Sequence, residues 1–206
     1  MVGCPPRLTS DGAPSLNETP LSLLDRLRRQ PRDQPSWRRL TMLYGPLIRR
    51  WLQQHDTPEA DADDLAQEVL LVLARDLGDF DHNGRTGAFR LWVRSITANR
   101  LRDYWRARRS RPIDGLDDRL TQLEDPESEL GRLCDREHDE FIVRRLMELI
   151  QPEFAPSTWN SFRLRVLEER PASEVAETLG LSVNAVLIAK SRVLRRLRQE
   201  GQGLIG

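Results

Sequence analysis

The stretch PASEVAETLGLSVNAVLIAKSRVLRRLR, residues 171–198, sets two helical patterns on either side of a tight turn. Ser173 can cap a first helix running through Leu179, because a serine hydroxyl accepts from the unpaired amides of a first turn. Gly180 supplies a residue that enters the left-handed region at no steric cost and so closes that helix. Ser182 can cap the helix that follows. Ala176 is small where the two helices would cross, and Val186, Val193 and Leu197 give the second helix an inward face. Opposite them Asn184, Ile188, Ser191 and Arg195, spaced four, three and four, form an outward stripe. A helix that turns amides, hydroxyls and guanidinium groups outward can lie in the major groove of duplex DNA, which is wide enough to admit it. A plain helical hairpin with a solvated basic face is the rival reading of the same residues.

Upstream, FRLWVRSITANRLRDYWRARR, residues 89–109, puts tryptophans and arginines on one helical segment with a single acid, Asp103. Phe89, Trp92, Val93 and Ile96 cluster on one side, and Leu101, Tyr104 and Trp105 about a quarter-turn away, so the apolar stripe drifts along the helix. Phe89, Trp92 and Ile96 read as core. Ser95, Asn99, Arg102 and Arg106 form one polar stripe facing away from the first cluster. Tyr104 and Trp105 stand among arginines near the helix end. Rings beside guanidinium groups suit single-stranded nucleic acid: every base offers a face for stacking, worth roughly 1–3 kcal/mol, and arginines take the phosphates.

The net charge is zero over 206 residues, but its distribution is not even. Residues 56–81 hold nine acids and one arginine; residues 85–111 hold nine arginines and one acid. The chain turns acidic again to residue 130, and residues 183–198 carry five basic residues and no acid. Segregation of this kind provides separate surfaces for separate partners, the basic ones suited to phosphate. Lys190 is the one lysine, so the positive charge is guanidinium, which stacks and binds phosphate bidentately.

The periodicity is helical throughout, which predicts an all-α fold. Trp37, Leu40, Tyr44, Leu47, Ile48 and Trp51 recur at three and four, and Gly45-Pro46 should bend or split that helix. A second helix is expected from about residue 60 to 77, its VLLVLA half apolar on nearly every side and central to a core. The loop GDFDHNGRTG leads to the aromatic-arginine helix. RPIDGLDDRLTQLEDPESEL, with its Gly, Asp and Pro, reads as an acidic linker with room for a short helical turn. Residues 137–150 are amphipathic, QPEFAP breaks the pattern, and Trp159, Phe162 and Val166 resume it.

No run of eighteen apolar residues occurs, so no membrane span is expected. MVGCPPRLTSDGAPSLNETP lacks the charged start and apolar centre of a secretory signal and reads as a loose leader, which makes the cytoplasm the expected location. Cys4 and Cys134 lie far apart and outside any CxxC, so no disulfide framework is expected. Cys134 and His138 share a helical face, but two ligands do not make a zinc site. Neither metal nor cofactor is expected.

DADDLAQEVLLVLARDLGDF, then GAFRLWVRSITANRLRDYWR, then the helix-turn-helix resemble, in order and spacing, the extracytoplasmic-function group of bacterial RNA polymerase sigma factors, in the sigma-70 family. The resemblance covers about residues 37–198, and its specificity lies in the succession of three motifs, each weak alone. It implies two small helical domains: a leader over 1–20, region 2 over 21–110, a flexible acidic linker over 111–133 and region 4 over 134–200. It implies no enzyme but a transcription initiation factor whose partners are core RNA polymerase and promoter DNA, with an anti-sigma factor a common further partner in the group. Asp63, Asp64, Gln67 and Glu68 match the segment that docks on the clamp helices of the polymerase largest subunit. Ser95, Asn99, Arg102, Tyr104, Trp105 and Arg106 match the part that melts and reads the −10 element, Asn99 setting its preference together with the loop 82–87. Asn184, Leu187, Ile188, Ser191, Arg192 and Arg195 match the reader of the −35 element.

Three other functions fit parts of the chain. A stand-alone helix-turn-helix regulator would use the C-terminal unit, yet should carry a dimerisation or sensing domain, and the aromatic-arginine helix would have no task. A nuclease could be built on Asp61, Asp63, Asp64 and Glu68, but one helix cannot converge four carboxylates on a point. An interaction adaptor would need none of the basic helix-turn-helix.

Overall fold

The computed structural model describes residues 22–55, 57–80, 87–108 and 116–205, and among them the chain is helical with no strand. The leader and most of the loop 82–87 lie outside the described residues. In order the helices are α1 (Leu23–Arg29), α2 (Gln34–Gln54), α3 (Glu59–Asp76), α4 (Ala88–Arg108), α5 (Leu116–Glu124), α6 (Glu129–Ile150), α7 (Pro156–Phe162), α8 (Ala172–Leu179) and α9 (Val183–Gly201).

α2 buries Leu40, Leu43, Tyr44, Leu47, Ile48, Trp51 and Leu52 along one face. Gly45-Pro46 does not split it; Pro46 sits inside one unbroken helix. The amide that Pro46 lacks would have paired with the Met42 carbonyl, and that carbonyl instead accepts from Arg145 Nη2 of α6 at 3.5 Å. α3 lies between α2 and α4 and buries Ala62, Leu65, Ala66, Val69 and Leu73. Its apolar half is therefore one-sided, not buried all round, and Leu71 is 69% exposed.

The acidic connection is more ordered than its composition suggests. Leu120 and Leu123 are fully buried, and they seat α5 against α4 and α6. Residues 116–124 are thus no free tether. A nine-residue helix is marginal alone, so tertiary contact holds it. Ser128 caps α6 by accepting from the Gly131 amide at 2.8 Å, which starts that helix at Glu129, well before the expected 137. Gly131 meets a close approach here: a Cβ on it would stand 2.0 Å from the Asp125 carbonyl oxygen.

α6 is the spine of the molecule. Cys134, Ile142 and Leu146 belong to the core built by α1 to α5, whereas Ile150 joins Trp159, Phe162 and Val193 in a second cluster. A third cluster, Leu164, Val175, Ala176 and Val186, holds the helix-turn-helix together. There Gly180 adopts φ 64°, as its turn requires, and Ser182 Oγ accepts from the Ala185 amide at 3.1 Å. Ser173 is not a cap: α8 starts one residue before it, behind Pro171, whose fixed φ suits the entry to a helix. The segment 163–167 continues α7 as a π turn.

Candidate nucleic-acid interface

On α3 the residues Asp63, Asp64, Gln67 and Glu68 are all exposed on one face, because Ala62, Leu65, Ala66 and Val69 take the buried side. Asp63 pairs with Arg49 Nε of α2 at 2.8 Å, and Glu59 with Arg49 Nη2 at 2.7 Å. A shallow open groove runs beside them, floored by Gly45, Pro46, Ala66 and Leu70. Arg49, Arg50, Gln53, Asp63 and Gln67 line it too, so the face offers acid beside a groove of mixed polarity.

On α4 the structure brings Ser95, Asn99, Arg102 and Arg106 onto one stripe and sets α5 carboxylates on two of them, Ser95 and Arg102. Ser95 Oγ donates to Glu124 at 3.1 Å. Arg102 donates through Nε to Asp117 at 3.1 Å, through Nη2 to Glu124 at 2.5 Å and through Nη1 to Asn99 Oδ1 at 3.0 Å. These carboxylates hold the Arg102 guanidinium above its ordinary range, the Glu124 hydrogen bond most of all. Asn99 and Arg106 remain exposed, Arg106 pairing with Asp103 at 3.1 Å.

Tyr104 and Trp105 are half-buried at the end of the helix, edge to face at 5.0 Å. Tyr104 donates its hydroxyl to Asp61 of α3 at 2.7 Å, and Arg108 lies over its ring at 4.8 Å while pairing with the same Asp61 at 3.0 Å. The aromatic pair thus sits near the seam of α3 and α4, with Arg108 over the Tyr104 ring.

Sequence reasoning missed the buried arginines on the other side of α4. Arg90 pairs with Asp135 at 2.9 Å and with Asp139 at 2.8 Å, both on α6. Arg94 is fully buried; its Nη1 donates to the Gly131 carbonyl at 3.1 Å and to Asp135 at 2.8 Å. Burial lowers the Arg94 pKa against the pull of Asp135. The signal available in the sequence was a pair of arginines four apart facing two aspartates four apart, and only a known packing could join them.

His138 is buried between α2 and α6, with Trp51 stacked on it. Its Nδ1 stands 2.8 Å from Asp139, and its Nε2 3.1 Å from the Tyr44 hydroxyl. A neutral ring donating to Asp139 and accepting from Tyr44 satisfies both contacts. Burial lowers the His138 pKa although Asp139 pulls the other way, and burial pushes the Cys134 thiol up. Cys134 and His138 serve as core residues. Among the described residues no group of three or more His, Cys, Asp or Glu could hold a metal ion. No single described helix is long and apolar enough to cross a membrane.

A second cluster was also illegible. Glu200, at the end of α9, is 1% exposed and accepts from Arg26 of α1 at 2.8 Å, from Arg39 of α2 at 3.2 Å and from Arg196. Glu153 joins it through Arg39 at 2.6 Å and Arg196 at 2.7 Å. This ties the C-terminal helix to the front of the chain.

On α9 itself Asn184, Leu187, Ile188, Ser191, Arg192 and Arg195 are all exposed, while Val186, Ala189 and Val193 are buried. The outward face is apolar toward its start, with Val183 and Leu187 each 44% exposed and Ile188 43%, and basic toward its end.

No curated protein matches the chain. Residues 40–111, about a third of the 206, match the family described as Sigma-70 region 2. That match runs from α2 to just past α4 and takes in both the α3 acids and the α4 stripe, so this segment is similar to a sigma-70 region 2.

Proposed function

We propose that the chain is a sigma factor of the extracytoplasmic-function type, which binds core RNA polymerase and directs initiation at chosen promoters. One observation carries the reading: the segment that matches region 2 holds an exposed acidic face and a basic aromatic helix, and a helix-turn-helix follows in the same chain. In this reading region 2 occupies 21–110, the connection 111–133 and region 4 134–200. Asp63, Asp64, Gln67 and Glu68 dock on the polymerase clamp helices. Ser95, Asn99, Arg102 and Arg106, with Tyr104 and Trp105, take the −10 strand, and α9 enters the major groove at the −35 element. A stand-alone regulator would leave the region 2 segment without a task.

The test is direct. The purified chain mixed with core polymerase should co-elute with it and start transcription at mapped positions on genomic DNA. A chain that never joins core polymerase ends the proposal.

The α9 face also sets an expectation for the duplex element. The apolar feature of the major groove is the thymine methyl, and an asparagine amide pairs bidentately with adenine. Val183, Leu187 and Ile188 beside Asn184 therefore favour A·T pairs within the −35 element. Replacing thymine by uracil there removes methyls alone. Each contacted methyl lost should slow promoter opening by the holoenzyme about fourfold, the equivalent of ~0.8 kcal/mol per buried carbon. Identical rates on thymine and uracil templates would refute the assignment.

A further inference from the structure

We propose that α5 occupies, in the free chain, the place on α4 that a melted DNA strand takes, so that one stripe has two mutually exclusive acidic occupants. The proposal rests on the sigma reading, and its test separates the two.

The contacts are specific to the stripe. Of the four residues Ser95, Asn99, Arg102 and Arg106, the first and third bond to α5 carboxylates and the second is held by the third. Glu124 bridges Ser95 and Arg102, which stand two turns apart on α4, as a strand phosphate between them would. α5 carries Asp117, Asp118 and Glu124 against Arg119, so it presents net negative charge to a basic helix.

The seating is also light enough to reverse. Leu120 and Leu123 anchor α5, and a helix of this length does not persist in water without its neighbours. Beneath it, the α4–α6 packing leaves Arg94 Nε and Nη2 without a hydrogen-bond partner among the described residues, although the side chain is fully buried. A buried guanidinium with unmet donors weakens the packing that holds it.

The packed chain cannot be the promoter-bound form. Elements named −10 and −35 lie 25 positions apart, about 85 Å of duplex at ~3.4 Å per pair. A compact chain of this length has a radius of gyration of about 17 Å. Here α9 is bound to α1 and α2 through Glu200, and α6 to α4 through Arg90 and Arg94. Reading both elements at once requires these halves to part, and α5 lies on the chain between them.

The experiment uses the full chain and a fluorescein-labelled mixed-sequence single strand of about 20 nucleotides. Asp117→Asn with Glu124→Gln removes the α5 grip on Ser95 and Arg102. It should tighten strand binding about tenfold by freeing the stripe. Asp118→Asn with Glu127→Gln removes equal charge from exposed acids of the same stretch outside the ion pairs with Arg102, and should change binding less than about twofold. In the unaltered chain, saturating strand should speed amide hydrogen exchange in residues 116–124. Equal tightening by both pairs of substitutions, no tightening by the first, or α5 amides that stay protected with strand bound would each overturn the proposal. If any of these occurs while the chain still assembles with core polymerase, the sigma reading stands and the α5 proposal falls. If assembly fails, the sigma reading falls whatever the strand does.

Discussion

Glu200→Ala should lower the thermal midpoint of the chain by about 10 °C. The carboxylate is 1% exposed and pairs with Arg26, Arg39 and Arg196, the last two shared with Glu153. Removing one member of a buried ion pair typically costs about 3–5 kcal/mol, because the partner charge stays behind undispersed. The three arginines keep between 22% and 32% exposure, so some hydration returns and the lower end, about 3 kcal/mol, applies. For a chain of this size each kcal/mol moves the midpoint roughly 2–4 °C. Glu200→Gln, which keeps shape and acceptor but not charge, should fall between. Calorimetry at two salt concentrations provides the check. A midpoint that moves by less than about 2 °C would mean that the cluster is solvated and that the C-terminal helix is held on α1 and α2 by packing alone.

The second large effect concerns partner binding. Asp64→Arg with Glu68→Arg should weaken association with core polymerase on the order of 100-fold or more. Both side chains are exposed on the acidic face of α3 and neither belongs to the buried set of that helix, so the helix content should not change. Reversing two charges turns attraction to a basic surface into repulsion, and like-charge contact across an interface costs several kcal/mol. At about 1.4 kcal/mol per tenfold, two to three such units give the stated loss. Asp79→Arg, an exposed acid beyond the end of α3, is the control and should bind as the unaltered chain does. Undiminished co-elution of the double variant with core enzyme would show that α3 is not the docking helix.

These two predictions draw on different levels of information. Asp64 and Glu68 were legible in the sequence, because a helix of known period with one apolar stripe leaves its acids on a definite face. The same holds for the α9 stripe and for the turn at Gly180, where the cap, the left-handed residue and the spacing are all local. Glu200 was not legible. It is one acid near the end of a basic helix, and two of its three arginines lie 174 and 161 positions upstream.

Local chemistry also misled in identifiable places. Gly45-Pro46 suggested a split, yet Pro46 lies inside one helix, and the Met42 carbonyl that its missing amide frees accepts from Arg145. Ser173 has the chemistry of a cap, but Pro171 set the start of α8 first. Gly, Asp and Pro between residues 111 and 130 suggested a loose connection, and two leucines three apart were enough to dock its middle.

The amino-acid sequence alone determined that the chain is helical, where most of its helices run, and which faces carry acid, aromatic-arginine and helix-turn-helix character. Those properties depend on periods of three and four and on capping residues, which act within a few positions of one another. The tertiary structure alone decided which charged faces meet: Arg102 with Glu124, Arg94 with Asp135, Glu200 with Arg26 and Arg39. A salt bridge has no sequence period, and in a chain with 32 basic and 32 acidic residues complementarity permits far more pairings than packing allows. Close approach of the apolar helix faces selects among them, and that approach brought the acids of α5 onto the stripe expected to hold DNA.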